Sequence, residues 1–278
     1  MPDGYIDAHH HLWKYSEAKY PWMLDGMESI RRDFLIPELQ AAIRNAGING
    51  TVAVQARQTV EETEWLLDLA GGNDLIRGVV GWVPLADANV VTHLETLSAE
   101  AKLKGVRHVL HDEADDFYML RDDFNRGVSL LRDFGLQYDI LIFERHLSQT
   151  IQFVDRHPNQ RFVLDHIAKP RIRDHAQSSW ESLVAELARR ENVWCKLSGM
   201  VTEADWTNWT ESDLRPYFDT VLAAFGAERL MFGSDWPVIL VACGYKRWAD
   251  LVLSWISQLS ATEQLSIMGG TARRAYSL

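Results

Sequence analysis

Three consecutive histidines lie near the N-terminus, in the segment DAHHHLW at residues 7–13. Side chains of a β-strand point alternately to opposite faces, so His9 and His11 would share one face and His10 would point to the other. Two imidazoles on one face of a strand can share a divalent cation. The triplet alone is equally compatible with three hydrogen-bonded core histidines.

Two later positions supply further candidate ligands. His166 follows the apolar run RFVLD, and Asp235 follows the run LMF. Carboxylate and imidazole together suit zinc or a similar ion in a catalytic site that keeps a position for water. Each residue also has a structural alternative, since Gly233-Ser234-Asp235 is typical of a strand exit. We therefore treat four residues as candidate metal ligands, with Asp235 and His166 also as candidate catalytic residues: His9, His11, His166 and Asp235.

These candidates must be positioned by short β-rich runs that alternate with amphipathic segments along the chain. Several of the runs, such as TVAVQA and DILIF, are almost continuously apolar, which is typical of parallel strands covered on both faces. The predicted strands are Tyr5–Trp13, Gly50–Arg57, Ile76–Leu85, Gly105–His111, Leu136–Phe143, Arg161–Ile167, Val193–Met200 and Arg229–Pro237.

Apolar residues three and four positions apart predict helices between the strands. Examples are Pro37–Ala46, Glu61–Leu69, Phe124–Phe134, Ser179–Arg190 and Leu214–Phe225. Strict alternation of eight strands with helices, without a linker, predicts one α/β domain over residues 1–278, a single (β/α)8 TIM-type barrel. A doubly wound open sheet is the alternative, but the first strand lacks the Gly-rich phosphate turn of that fold.

The barrel prediction has a consequence for function. The loops that follow the strands build the active site of a (β/α)8 barrel, so polar residues should gather at the strand ends. Nearly every predicted strand of this chain does end in polar residues. The sequence therefore predicts a site at the carboxyl ends of the strands, where His9, His11, His166 and Asp235 meet.

Composition limits the classes of partner. The 278 residues carry 28 Lys+Arg against 39 Asp+Glu, a net charge of −11, which disfavours nucleic acid and anionic membranes. Cys195 and Cys243 form no CxxC pattern, so neither a disulfide framework nor a thiolate metal cage is expected. The start MPDGYIDAHH lacks the charged and apolar regions of a secretion signal. We expect a cytoplasmic enzyme with a small-molecule substrate; the oligomeric state stays open.

Several segments together carry a resemblance to a known family. They are DAHHHLW through YPWM, VRHVLHDEADDF, LDHIAKP, CKLSGMVTEADW and MFGSDWPV, and the resemblance extends from Ile6 to Tyr276. The chain resembles the fuconolactonase-type group of the amidohydrolase superfamily, of the amidohydrolase 2 type. That group also includes rhamnonolactonases and a lactonase acting on 2-pyrone-4,6-dicarboxylate. The resemblance implies a (β/α)8 barrel that opens a sugar lactone such as L-fuconolactone with water.

The resemblance also implies roles for the candidate residues. The histidines of strand one correspond to His9 and His11, the histidine of strand six to His166, and the catalytic aspartate of strand eight to Asp235. Members of the group divide into metal-bound and metal-independent enzymes. This sequence has no obvious lysine at the end of strand four and no histidine at the end of strand five, which binuclear relatives use. We expect at most one divalent metal, with zinc as the first candidate, or a metal-independent enzyme.

Hydrolysis of a lactone, which is an ester, needs a nucleophilic water, a polarised carbonyl and a proton for the ring oxygen. We expect Asp235 to move the proton and the three histidines to stabilise the oxyanion, directly or through one cation. A polyhydroxylated substrate also needs hydrogen-bonding and packing partners. The candidates for substrate binding are Gln55, Arg107, His111, Glu144, Lys196 and Trp236.

Other functions remain open from the sequence. L-Rhamnonolactonase or lactone isomerase activity would use the same pocket, and a decarboxylase of the superfamily would share the four central residues but act on an acid. A non-catalytic sugar-binding barrel is the alternative outside enzymes. It has no need of a base beside a Lewis acid, which favours the enzyme interpretation.

Overall fold

The computed structural model describes residues 4–278, and within them eight parallel strands form one sheet in the order β1 to β8. Each strand pairs with the next one along the chain. The strands are β1 Tyr5–His10, β2 Ile48–Val54, β3 Ile76–Gly81, β4 Leu103–Val109, β5 Gln137–Leu141, β6 Phe162–Leu164, β7 Val193–Leu197 and β8 Leu230–Phe232.

The sheet closes on itself between β1 and the segment that follows β8. His10 and Trp236 form a parallel bridge, and the His11 N–H donates to the Trp236 carbonyl at 2.6 Å. The Asp235 N–H donates to the His9 carbonyl at 2.8 Å. Closure leaves the sheet without a free edge, so the predicted (β/α)8 barrel is confirmed. The same seam brings the histidine triplet beside Asp235.

The helices alternate with the strands as the periodicity predicts. Pro37 lies in the first turn of the first helix, and the Leu35 N–H that precedes this helix donates to Glu38 Oε2 at 3.1 Å. The helices in the described part of the chain are α1 Ile36–Ile43, α2 Val60–Gly71, α3 Val90–Leu97, α4 Asp122–Leu131, α5 Leu147–Arg156, α6 Ser178–Ala188, α7 Glu211–Phe225, α8 Tyr245–Ile256, α9 Ala261–Leu265 and α10 Thr271–Tyr276.

Two short helices, α9 and α10, extend the chain beyond the eighth strand–helix unit and were not predicted. Arg273 of α10 donates to the carbonyl of Gly4, which precedes β1, at 2.6 Å. Tyr276 of α10 is buried, and its hydroxyl donates to Asp139 Oδ2 of β5 at 2.7 Å. The C-terminal helix therefore covers the end of the barrel opposite the predicted site.

The observed strands are shorter than the predicted ones, most of all β6 and β8. The predicted strand Arg161–Ile167 ends at Leu164, because His166 and Ile167 adopt the left-handed region with φ of 52° and 49°. The predicted strand Arg229–Pro237 ends at Phe232. Apolar character reports burial, and a buried turn after a strand has the same apolar character as the strand itself.

Two expectations about the chain's chemistry can be compared with the structure. Cys195 and Cys243 are both buried free thiols. Among the helices of residues 4–278, none combines the length and the apolar character that a bilayer-spanning helix requires.

The contact between α4 and the loop after β3 predicts a stability effect. A Cβ atom at Gly127 would lie 2.0 Å from the carbonyl oxygen of Leu85, so Gly127→Ala must push the helix from the barrel. We expect a loss of about 1–3 kcal/mol in the free energy of unfolding, measured by urea denaturation.

Gly71→Ala is the matched control, because no heavy atom lies within 4 Å of its added Cβ at the end of α2. Alanine favours a helix over glycine by roughly 0.5–1 kcal/mol, so this variant should keep or gain stability. Equal effects of the two substitutions would show that the close approach of Gly127 is unimportant.

Candidate active site

A cavity of about 300 Å³ opens where the carboxyl ends of the strands meet. His11, His166 and Asp235 form part of its floor, as the barrel prediction requires. Its wall is built by loops that follow the strands, and it combines aromatic with charged side chains. The remaining lining residues are Trp22, Met27, Ala56, Arg107, Val109, His111, Asp112, Leu141, Phe143, Lys169, Thr202, Glu203, Trp206 and Val238.

The four residues predicted to form the centre of the site meet around one carboxylate oxygen. Asp235 Oδ1 lies 3.3 Å from His11 Nε2, 3.8 Å from His9 Nε2 and 4.0 Å from His166 Nε2. The Nε2 atoms of His9 and His11 are 3.2 Å apart. All four side chains are buried, so their polar atoms face one another and the cavity floor.

Contacts behind the rings orient two of the imidazoles. His11 Nδ1 lies 2.8 Å from the Val54 carbonyl, which can only accept, so Nδ1 carries the proton and Nε2 presents its lone pair. His166 Nδ1 lies 2.9 Å from Ser198 Oγ. A ring held from behind in this way is typical of metal-binding and catalytic histidines.

His10 lies on the opposite face of β1, as strand alternation predicts. Its Nε2 is 3.0 Å from Thr51 Oγ1 of β2, and its side chain is fully buried. The middle histidine therefore packs between strand and helix layers, away from the cavity.

Backbone conformation brings His166 and Asp235 to the floor. Both residues have positive φ, at 52° and 57° respectively, in the left-handed region that side chains rarely adopt. Gly199 leaves room for the turn at His166, because a Cβ there would lie 2.6 Å from His166 Nδ1. Such unfavourable backbone geometry is concentrated at functional sites.

A buried carboxylate, Asp7, holds the seam at which these residues meet. It accepts hydrogen bonds from the His9 N–H at 3.0 Å, the Ser234 N–H at 2.9 Å, the Ser234 hydroxyl at 2.6 Å and the Tyr245 hydroxyl at 2.9 Å. Burial raises the pKa of Asp7 to about 6, against the opposing effect of these hydrogen bonds. This role of Asp7 was not predicted from the sequence, although Asp7 lies two residues before the first histidine.

A buried cluster of ions lies directly beneath the floor. Arg107 Nη1 and Lys196 Nζ each lie 2.9 Å from an oxygen of Asp165, and Lys196 Nζ also lies 2.5 Å from Asp139 Oδ2. His9 Nδ1 touches this cluster, 3.1 Å from Lys196 Nζ and 3.3 Å from Asp165 Oδ1. Two cations thus balance two carboxylates in a region without solvent, as burial of charge requires.

The electrostatics of the floor favour an ionised aspartate beside neutral imidazoles. Burial lowers the pKa of His166 to about 3, and burial also lowers the pKa of His9 well below its usual value. Burial alone would raise the pKa of Asp235, but its interactions with His166, His11 and His9 together lower it. The floor therefore offers one carboxylate and imidazole lone pairs at neutral pH.

These donors fit a divalent metal ion. Ligand atoms of His9, His11 and Asp235 all lie within 4.8 Å of one another. His11 Nε2 presents its lone pair, whereas His9 Nδ1 lies between the Lys196 ammonium and Asp165 Oδ1, and His9 Nε2 lies 3.4 Å from Arg107 Nη1. Imidazole and carboxylate ligands suit zinc and related ions.

Of the six residues predicted to bind substrate, some line the cavity and others do not. Arg107 and His111 line the cavity. Gln55 lies deeper, where its side chain donates to the Arg107 carbonyl at 3.2 Å, and Lys196 belongs to the ion cluster beneath the floor. Neither of these two lines the cavity, because strand positions below the rim point into the filled interior of the barrel.

Glu144 and Trp236 also lie outside the cavity lining. Glu144 Oε1 accepts a hydrogen bond from Arg171 Nε at 2.8 Å. Trp236 is buried and packs edge-on against Phe34, with ring centroids 5.2 Å apart. Each of these two side chains is turned toward its own local partner, so their predicted contact with substrate stays a prediction.

Other loop residues, which were not predicted to bind substrate, line the cavity instead. They lie in or beside motifs that were recognised for their resemblance: Lys169 follows LDHIA, and Thr202, Glu203 and Trp206 belong to CKLSGMVTEADW. Their position in loops after strands β6 and β7 was the available signal. Trp22 and Phe143, which follow β1 and β5, line the cavity together with Lys169, Thr202, Glu203 and Trp206.

Comparisons with known proteins bear on this site. The model of the amidohydrolase family matches residues 6–278. An L-fucono-1,5-lactonase from Burkholderia multivorans (strain ATCC 17616 / 249) is 43% identical over 98% of this chain and 96% of its own length. An L-fucono-1,5-lactonase from Burkholderia ambifaria (strain AMMD) is 34% identical over 98% of this chain and 94% of its own length.

A solved structure is similar over the whole chain. The crystal structure of an amidohydrolase from Burkholderia multivorans with bound zinc is 43% identical, with a TM-score of 0.94 over 99% of both chains. Similarity in fold and similarity in sequence therefore both relate this chain to the amidohydrolases.

The hydrogen bonds of Asp7 predict a graded loss of stability. Asp7→Asn replaces one acceptor oxygen by an amide donor that faces other donors, so we expect the free energy of unfolding to fall by about 2–4 kcal/mol. Tyr245→Phe removes one of the four donors and leaves the carboxylate intact, so roughly 1–2 kcal/mol should be lost. Urea denaturation of both variants measures the difference. Equal losses would contradict a special role of the carboxylate at the seam.

Proposed function

The chain belongs to the amidohydrolase family, and we infer from this membership and from its site that it hydrolyses a sugar lactone, with L-fucono-1,5-lactone as the first candidate substrate. The observation that carries the proposal is the ionised Asp235 clustered with three imidazoles, of which those of His11 and His166 line the cavity. A base beside groups that can stabilise negative charge is what ester hydrolysis needs.

In the proposed mechanism, Asp235 accepts a proton from the attacking water and later returns it to the ring oxygen that leaves. Asp235 suits the first step because its carboxylate is ionised and reaches the cavity. His166 lines the same floor, and with its Nδ1 accepting from the Ser198 hydroxyl, its Nε2–H can donate to the negative charge that develops on the lactone carbonyl oxygen. The guanidinium of Arg107 also lines the cavity and adds fixed positive charge nearby.

The same floor residues would hold a divalent metal, and we propose zinc. The ligands would be His9, His11 and Asp235, with His166 as a further donor within reach of the carboxylate. When bound, the ion supplies Lewis-acid polarisation of the carbonyl. A zinc-bound structure of a protein 43% identical to this chain supports the proposal.

The cavity wall suits a sugar ring. Trp22, Phe143 and Trp206 offer aromatic faces, which pack against the C–H faces and the methyl group of a deoxysugar. Arg107 and His111, which were predicted to bind substrate, offer hydrogen bonds to ring hydroxyls.

The proposal predicts the behaviour of two carboxylate variants. Purified protein should hydrolyse L-fucono-1,5-lactone within a panel of aldonolactones, followed by the colour of a pH indicator. Asp235→Asn should lower kcat by a factor of about 10² or more, because the base is lost. Asp112→Asn is the matched control: Asp112 also lines the cavity, but its carboxylate lies 2.6 Å from His111 Nδ1 at the wall, so a loss below about tenfold is expected.

Two results would contradict this proposal. One is a folded wild type that turns over no lactone in the panel. The other is an Asp235→Asn variant as active as Asp112→Asn, which would remove the floor carboxylate from the chemistry. Chromatography of the product separates hydrolysis, which releases the sugar acid, from isomerisation of the lactone.

Metal content tests the proposed ligands separately from activity. After loading with zinc and desalting, elemental analysis should find no more than one ion per chain. His11→Ala should lower bound zinc at least tenfold at limiting zinc, because it removes the oriented Nε2 ligand. His10→Asn, on the opposite face of β1, should retain the ion. Equal zinc binding by the two variants would exclude His11 as a ligand.

A further inference from the structure

The cavity wall contains an ion pair that the mechanism does not use. Lys169 Nζ lies 2.5 Å from Glu203 Oε1, and their side chains are 18% and 19% exposed. Lys169 also lies 5.6 Å from the centre of the Phe143 ring. Burial by itself lowers the pKa of Lys169, but the attraction of Glu203 outweighs burial and raises it. The two side chains are therefore held together as an ion pair at the wall.

The other basic side chain of the wall is engaged as well. In the described residues 4–278, Arg107 and Lys169 are the arginine and lysine side chains that line the cavity. Arg107 Nη1 donates to Asp165 Oδ2 at 2.9 Å, and its Nη2 donates to the Gln55 carbonyl. A ligand carboxylate that enters the cavity would thus meet two cations already matched by protein carboxylates.

The carboxylate of Glu203 has a second effect on such a ligand. It lies beside the ammonium that a ligand carboxylate would seek, so the two like charges would compete for Lys169. An uncharged ligand has no such conflict. Its hydroxyls can donate to Glu203 and accept from Lys169 without breaking the ion pair.

We propose that Glu203 determines specificity by masking Lys169, so that the cavity takes uncharged polyhydroxy lactones and rejects lactones that carry a carboxylate. This inference rests on the proposed lactonase function and narrows its substrate class. Neutralisation of Lys169 by Glu203 also disfavours binding of the aldonate product, because hydrolysis converts the neutral ester into a carboxylate.

The test compares neutral and anionic ligands in wild type and Glu203→Gln. The glutamine keeps the shape of the side chain and its hydrogen-bonding oxygen but removes the charge that neutralises Lys169. For kcat/KM, the ratio of D-glucaro-1,4-lactone, which carries a carboxylate, to L-fucono-1,5-lactone should rise at least about tenfold. The inhibition constant of L-fuconate should fall at least about fivefold, with a gain that weakens as salt is added.

Two further variants distinguish the neutralisation of Lys169 by Glu203 from a general change in cavity charge. In Lys169→Met/Glu203→Gln the gain should disappear, because the unmasked cation is gone. Asp112→Asn also removes one negative charge from the wall but leaves the Lys169–Glu203 ion pair in place, since Asp112 is hydrogen-bonded to His111. A gain in Asp112→Asn equal to that of Glu203→Gln would overturn the proposal in favour of total cavity charge.

The remaining outcomes are also decisive. A wild type that prefers the anionic lactone would overturn the proposed role of Glu203. So would a Glu203→Gln variant without any gain in kcat/KM for the anionic lactone or in affinity for L-fuconate. Neither result would contradict the hydrolysis of neutral lactones. If wild type hydrolyses no lactone, the proposed function fails, and calorimetric binding of L-fuconate to the same variants still decides whether Glu203 masks Lys169. Should Glu203→Gln not fold, Glu203→Ala carries the same expectations.

Discussion

The carboxylate of Asp7 connects the two ends of the barrel sheet. It accepts two hydrogen bonds from Ser234, which follows β8, one from His9 within β1 and one from Tyr245 of α8. The two strands share only a short bridge, so these bonds supply much of the polar contact across the seam. The floor of the cavity spans the same seam, with the histidines on one side and Asp235 on the other. The geometry of the site therefore depends on how the barrel closes.

Charge balance is the second constraint, and it applies at two depths. In the barrel interior, Lys196 and Arg107 are matched by carboxylates of β5 and of the turn after β6, because an unpaired charge there would cost several kcal/mol. At the cavity wall, Lys169 is matched by Glu203. Between these layers, Asp235 faces imidazoles instead of a fixed cation. The floor carboxylate is thus the one we propose for proton transfer or for a metal ion, whereas the other carboxylates are held in ion pairs with fixed cations.

Predictions from the sequence agree with the structure where a local pattern allows only one arrangement of side chains or strands. Strand alternation places His9 and His11 on one face in any strand, and parallel alternation of strands and helices brings strand ends together. They did not indicate how deep in the barrel a side chain lies. Lys196 and Gln55 lie near strand ends like the floor residues, yet they lie one layer lower, inside the filled barrel. Loop residues such as Glu203 reach the cavity because long connections fold back over the strand ends, which periodicity does not describe.

The sequence by itself determined the (β/α)8 architecture and the identity of the floor residues, because both follow from periodicities and residue types that act within a few positions. Only the tertiary structure decided that His166 and Asp235 turn through left-handed backbone to the floor. It also decided that Asp7 holds the seam, and that Lys169 meets a carboxylate 34 residues along the chain. These contacts join segments distant in sequence, and their distances are set by how the barrel closes and how the loops pack over it.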